Sequence, residues 1–148
     1  MTLTELELLY NFHDCDVSIP FSVIQDNIIL TFELAKHMQY HDFKAKHIDL
    51  IENDDYALLV TIKFLNCTSI KASEWFYDYS NGERPKRLNE KNIIPEQVDQ
   101  EMLLYTCSMS DKDGAYLLFT KDPDKGTEIT FFCEEAEIVE EKFVLVKN

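Results

Sequence analysis

The chain has 148 residues, 28 of them acidic against 14 basic, for a formal charge of −14. A hydrophobic fraction of 45%, with ten Phe and seven Tyr, excludes a disordered chain, and this length lets a single domain bury roughly 70% of its unfolded surface. The charge opposes binding to nucleic acid or an anionic membrane, both polyanions, so a cationic partner is expected, with acidity kept only for solubility as the alternative.

Thr4, Glu5, Leu6 and Glu7 match a capping box, in which the Thr hydroxyl and the later carboxylate satisfy backbone N–H groups at a helix start. A short helix from Glu5 to Phe12 follows. Cys15 to Gln25 is rich in β-formers, and Asp26-Asn27 reads as a two-residue turn. Beyond it Ile28, Leu30, Phe32 and Leu34 alternate with Thr31 and Glu33, which predicts a hairpin with one face in the core. Pro20 lacks a ladder N–H and places the first of these strands at a sheet edge or a bulge.

His37 to His47 is polar and irregular, and a weaker strand is expected over Lys46 to Ile51. The turn Glu52-Asn53-Asp54-Asp55 leads into a clear half-buried strand, with Leu58, Val60, Ile62 and Phe64 facing one way and Thr61 and Lys63 the other. Asn66-Cys67 is expected to turn the chain back into a strand over Thr68 to Tyr79. Ser80 to Pro95, with Gly82, Pro85, Arg84, Lys86, Arg87 and Lys91, reads as a long surface loop.

Pro95 can open one helical turn through Gln100. Strands over Glu101 to Ser110, Ala115 to Lys121 and Thr127 to Glu134 are separated by the turns Asp111-Lys112-Asp113-Gly114 and Asp122-Pro123-Asp124-Lys125-Gly126. The last segment, Ala136 to Lys147, ends in Phe143-Val144-Leu145-Val146, which predicts a strand covered on both faces. Ile138 shares parity with Val144 but Val139 with Phe143, so a bulge is expected near Glu140-Glu141. Together these elements predict one mainly β (α+β) domain over 1–148, an antiparallel sandwich or curled sheet of about eight or nine strands with one or two short helices.

Chemical motifs are sparse. His37 and His41 have the spacing of two ligands on one helical face and His47 and Asp42 lie near, but Lys44 and Lys46 put positive charge where a cation would bind. His13-Asp14 has the residue types of a metal phosphohydrolase pair. Its expected role is structural, with His13 near the negative end of the first helix and Asp14 opening the turn beyond. The three glycines are isolated, no G-x-S-x-G elbow occurs, and Cys15, Cys67, Cys107 and Cys133 stand singly in apolar stretches as buried thiols. No catalytic residue, cofactor or metal is expected, and no apolar stretch approaches the ~18 residues of a membrane span, so the expected setting is the reducing cytoplasm.

The surface carries the remaining signal. Trp75, Phe76, Tyr77 and Tyr79 interleave with Glu74 and Asp78, and strand alternation sends Trp75, Tyr77 and Tyr79 to one face. Trp75 and Phe76 are expected in the core, and Tyr77 and Tyr79 at the surface as aromatic anchors for a partner. The expected cationic-partner sites are Glu74 and Asp78 beside those tyrosines and two acidic clusters: Asp49, Glu52, Asp54 and Asp55, and Glu134, Glu135, Glu137, Glu140 and Glu141.

The stretch Phe12-His13-Asp14-Cys15-Asp16-Val17-Ser18-Ile19, followed by Ile28-Ile29-Leu30-Thr31-Phe32-Glu33, resembles the opening of several small bacterial families. Some of these are immunity proteins of polymorphic and contact-dependent growth inhibition toxin systems. The resemblance implies a bacterial cytoplasmic protein that binds one basic toxin domain, often a nuclease, and blocks its active site. The acidic, catalytically silent composition agrees with that implication. Two other expectations stand beside it: a nucleic-acid mimic that inhibits host DNA-binding proteins, and a small-ligand-binding or metal-dependent enzyme that uses His13, His37 or His41.

Overall fold

The computed structural model describes residues 1–17, 22–80, 82, 84–121 and 124–146. Among them, ten strands form two antiparallel five-stranded sheets. The first sheet contains β1 (Asp16–Val17), β2 (Ser22–Ile24), β3 (Asn27–Leu34), β4 (Tyr56–Leu65) and β10 (Glu135–Leu145), with β1 and β2 both paired to β3 and β10 at the far edge. The second runs β6-β5-β9-β8-β7, built from β5 (Thr68–Asp78), β6 (Lys86–Ile93), β7 (Leu103–Ser110), β8 (Gly114–Lys121) and β9 (Lys125–Phe132). The fold is therefore mainly β, as the alternation predicts, with more strands than the polar segments advertise.

Alternation decides which face is buried. Ile28, Leu30, Phe32 and Leu34 on β3 and Leu58, Val60, Ile62 and Phe64 on β4 are all buried, and meet Ala115, Leu117, Phe119, Ile129 and Phe131 of the second sheet in one cluster. The rings of Phe64 and Phe131 bridge the sheets edge to face, centroids 5.1 Å apart. Each such side chain, fully withdrawn from water, contributes roughly 1.5–3 kcal/mol.

Helix α1 (Leu3–Leu9) closes one border of the core with Leu3 and Leu6. Its N-cap is Thr2, whose hydroxyl accepts from the Glu5 N–H at 3.1 Å, and not Thr4. The expected capping-box pair is used elsewhere: Thr4 Oγ1 accepts from the Asp111 N–H at 3.0 Å and the Glu7 carboxylate from the Met109 N–H at 2.7 Å, fastening α1 to the end of β7. Because α1 stops at Leu9, His13 lies beyond its dipole; it sits 3.6 Å from Asp14, which takes the left-handed turn conformation.

The hairpin turn falls on Gln25 and Asp26, both at positive φ, so that Asn27 already pairs with Ile24. The expected turn at Asp26-Asn27 is thus one residue late. Pro20 lies outside the described residues, and the segments flanking it, β1 and β2, lie beyond β3 on that side of the sheet. Asn66 and Cys67 do turn the chain, but into the other sheet: the Cys67 N–H donates to Asp26 O at 2.7 Å, and β5 pairs with β6 and β9.

Three expectations are corrected outright. Lys46 to Ile51 is helical, within α2 (His41–Lys46) and α3 (Ile48–Ile51); Phe43, His47 and Ile51 repeat every four residues, which is a helical period. Ser80 to Pro95 contains strand β6, whose side chains are nearly all exposed, so backbone pairing with β5 and not apolar alternation makes it a strand. The final strand, expected to be covered on both faces, is an edge, with Leu145 and Val146 about half exposed.

Its bulge is real. Ile138 pairs with Ile62 and Glu140 with Thr61, leaving Val139 as the extra residue, one position before the predicted site. Before it Ala136 and Ile138 share the inner face, and after it Glu141 and Phe143 do, opposite the buried Val60 and Leu58. The expected helical turn at Pro95 is a 3-10 turn over Pro95–Gln97.

Candidate functional site

The acidic residues are unevenly placed between the two halves. Residues 1–66 and 133–148, which supply the first sheet and all three helices, carry 16 acidic and six basic residues; residues 67–132 carry 12 and eight. Ten of the fourteen surplus negative charges therefore belong to the first sheet and its helices.

Within that half the carboxylates follow the β10 border. Glu134 and Glu135 stand where β10 begins, beside Leu65, and the Val146 N–H at its other end donates to Asp55 O at 2.7 Å. Asp49, Glu52 and Asp54, all exposed, cluster near that second end, about 30 Å along the ladder from the first. Part of this charge is answered locally. Lys63 is directly across from Glu137, Lys142 lies 3.2 Å from Glu140, and the Asn66 amide donates to Glu134 at 2.9 Å.

The acidic loop is held by one buried cation. Lys36 is 9% exposed, and its ammonium donates to Leu50 O at 3.1 Å, Tyr56 O at 2.7 Å and Asn53 O. These carbonyls bracket the chain from α3 to β4, so one residue fixes how Asp54 and Asp55 are presented.

The aromatic stretch of β5 is arranged differently from expectation. Glu74 is only 9% exposed and is paired with Lys91 at 2.8 Å and Lys125 at 3.5 Å, whose hydrogen bond and charge hold its carboxyl below the ordinary value despite burial. Asp78 is across from Lys86 and accepts from the Ser80 N–H at 2.9 Å. Their charges are thus met by the basic strand β6, in the segment read from sequence as a loop.

Trp75 is completely buried but outside the main cluster, on the far face of the second sheet. The Arg87 guanidinium covers its ring at 3.8 Å, and Tyr77 and then Tyr79 continue the row at centroid spacings of 5.9 and 6.0 Å. Tyr77 is half-buried and Tyr79 is exposed. Phe76, expected in the core, is 47% exposed because the inner face ends beyond Glu74.

A cavity of about 540 Å³, with mostly apolar walls, has the dimensions of a binding site. It opens between the end of α1, helix α2 and β10, with Leu8, Leu9, Tyr40 and Phe43 as apolar walls and Ile138 and Glu141 on the strand side. Tyr10, 1% exposed, donates its phenolic hydrogen to the Glu141 carboxylate, and burial together with that neighbour pushes the phenol well above its ordinary range. Asp42, Lys46 and His47 supply the other polar groups. The His47 ring lies between Phe43 at 4.7 Å and Phe143 at 5.4 Å.

No known family, curated protein or solved structure matches the chain.

The other histidines do not converge. His37 is 3.9 Å from Asp54 and His13 is beside Asp14, and among the described residues no three His, Cys, Asp or Glu side chains are grouped to hold a metal. All four thiols are free. Burial pushes Cys15 and Cys67 up to about 12 and Cys133 up to about 11, although Cys107 and Cys133 are only half-buried by exposure, unlike the full burial expected of them. No helix among the described residues is long and apolar enough to cross a membrane.

Proposed function

We propose that this chain is a non-catalytic cytoplasmic inhibitor that binds a cationic protein domain, a toxin nuclease of the kind its N-terminal resemblance to immunity proteins suggests. The observation that carries the reading is the charge asymmetry: ten of the fourteen surplus charges belong to the first sheet and its helices. Carboxylates follow the β10 border from Glu135 to Asp55. A basic nuclease cleft that holds a phosphate backbone meets a comparable row of negative charge there, and opposite fields of this kind accelerate docking toward about 10⁸ to 10⁹ per molar per second at low salt. Glu74 and Asp78, whose charges are met by lysines, are left to structural duty in this reading.

The test is binding to a panel of basic ribonuclease and deoxyribonuclease domains across a salt series, with wild type and with Asp54→Asn, Asp55→Asn, Glu137→Gln and Glu140→Gln combined. Wild type is expected to bind one of them with an association rate that falls steeply with salt, and the combined variant to associate at least tenfold more slowly. Binding with no salt dependence, or no binding to any basic domain, overturns the reading.

A further inference from the structure

The outer edge of β10 is unpaired over most of its length, and the direction of its free groups can be read from its ends. At the start, the Met1 ammonium donates to Ala136 O at 2.9 Å and the Ala136 N–H to Met1 O at 2.7 Å, so Ala136 faces away from β4. At the far end the Val146 N–H faces the chain leading into β4, toward Asp55. Antiparallel ladders alternate by residue, so Leu145, Phe143 and Glu141 turn their N–H and C=O groups outward. Among the described residues no strand receives them.

Glu141 belongs to both features. Its backbone faces the open edge, while its side chain, opposite Val60, points to the inner face and lines the cavity with Tyr10 and Ile138. On a strand added to this edge, the residue directly opposite Glu141 projects to the same face. Its side chain enters the cavity, between the Leu8, Leu9 and Phe43 walls and the Glu141 carboxylate, with Asp42 nearby and Lys46 as the one fixed cation of the lining.

Charge selects the occupant. β10 carries Glu135, Glu137, Glu140 and Glu141 against Lys142. A second copy pairing edge to edge would bring two strands of net negative charge together, which is unfavourable, whereas a strand bearing Lys or Arg gains from pairing with these glutamates. We propose that the β10 edge and its adjoining cavity form a groove for an extended basic segment of the protein partner, added as an eleventh strand, with a Lys or Arg opposite Glu141 seated in the cavity. This deepens the inhibitor reading and rests on it for the partner's class, although the groove is testable without it.

The probe is a synthetic ten-residue peptide alternating Arg with Val and Thr, titrated into the intact protein while amide resonances are followed. Expected are saturable binding, exchange protection of the Glu141, Phe143 and Leu145 amides, and at least tenfold weaker binding when the peptide is N-methylated at alternate residues, a change that spares the protein. Glu141→Gln is expected to weaken binding at least fivefold, and a Glu-for-Arg peptide not to bind.

Binding unaffected by N-methylation, or shifts confined to cavity side chains, overturns the added strand. So does a dimer of the free protein that protects the same amides. If a basic nuclease domain binds without protecting these amides, the groove is wrong and the inhibitor reading stands. If the peptide docks as described and no basic domain binds, the groove stands and the inhibitor reading falls.

Discussion

The indole of Trp75 lies flat against the backbone of Gly126, so close that a Cβ at Gly126 would stand 2.5 Å from the ring. These residues are directly opposed in the β5–β9 ladder, and the absence of a side chain at 126 is what lets a tryptophan be wholly buried on a sheet face away from the core. Gly126→Ala is expected to destabilise the protein by about 1–3 kcal/mol through overpacking. Trp75 is the one tryptophan, so its emission reports the event directly: a red shift in the folded variant, alongside a lower denaturant midpoint.

The paired carboxyl of Glu74 gives a pH signature. Its folded value lies below the ordinary 4.5, chiefly through the Lys91 hydrogen bond. A lowered carboxyl contributes stability that is complete above the unfolded value and is lost as pH falls through the folded one. The stability difference between wild type and Glu74→Gln is therefore expected to hold from pH 7 to 5 and to shrink below about 4.5, measured by urea midpoints at each pH.

Tyr10 has the opposite sign. Its folded phenol is raised far above the ordinary 10.0, by burial first and Glu141 second, so its contribution is complete below pH 10 and is lost at higher pH as the unfolded chain ionises first. Tyr10→Phe is expected to cost about 1 kcal/mol near neutrality and progressively less above pH 10. Absorbance of the phenolate checks the same point, since Tyr10 should ionise only together with unfolding.

Lys36→Met removes an ammonium that answers three carbonyls at once. Methionine fills the space but donates nothing, so a loss of roughly 2–4 kcal/mol is expected. Hydrogen exchange localises the damage: the amides from Asn53 to Tyr56 should lose protection before those of β3 and the rest of β4.

The legible parts of this fold were those in which alternation and burial coincide. Strands β3, β4, β8 and β9 read correctly because Leu30, Phe64, Leu117 and Phe131 each repeat at a spacing of two on a face that becomes core. β6 was illegible because its side chains bury almost nothing and its pairing is made by the backbone. The α2 and α3 helices were hidden by two histidines and two lysines, although Phe43, His47 and Ile51 hold their period. Of the candidate surface, the two acidic clusters were legible as composition, and their alignment along one border required the β10–β4 register. The cavity was missed altogether: Leu8, Tyr10, Phe43 and Glu141 share no motif and come from three distant segments.

The bulge at Val139 means that β10 counts its residues in twos on either side of a single odd step. Deleting Val139 would join Ile138 to Glu140 in unbroken alternation, leaving Glu141 and Phe143 opposite Val60 and Leu58 on the inner face and removing only the local kink. Within the regular stretches on either side, faces are kept only by changes of two residues, whereas at the bulge a single residue can be lost without turning any side chain, so a folded variant one residue shorter is expected to have lost its bulge.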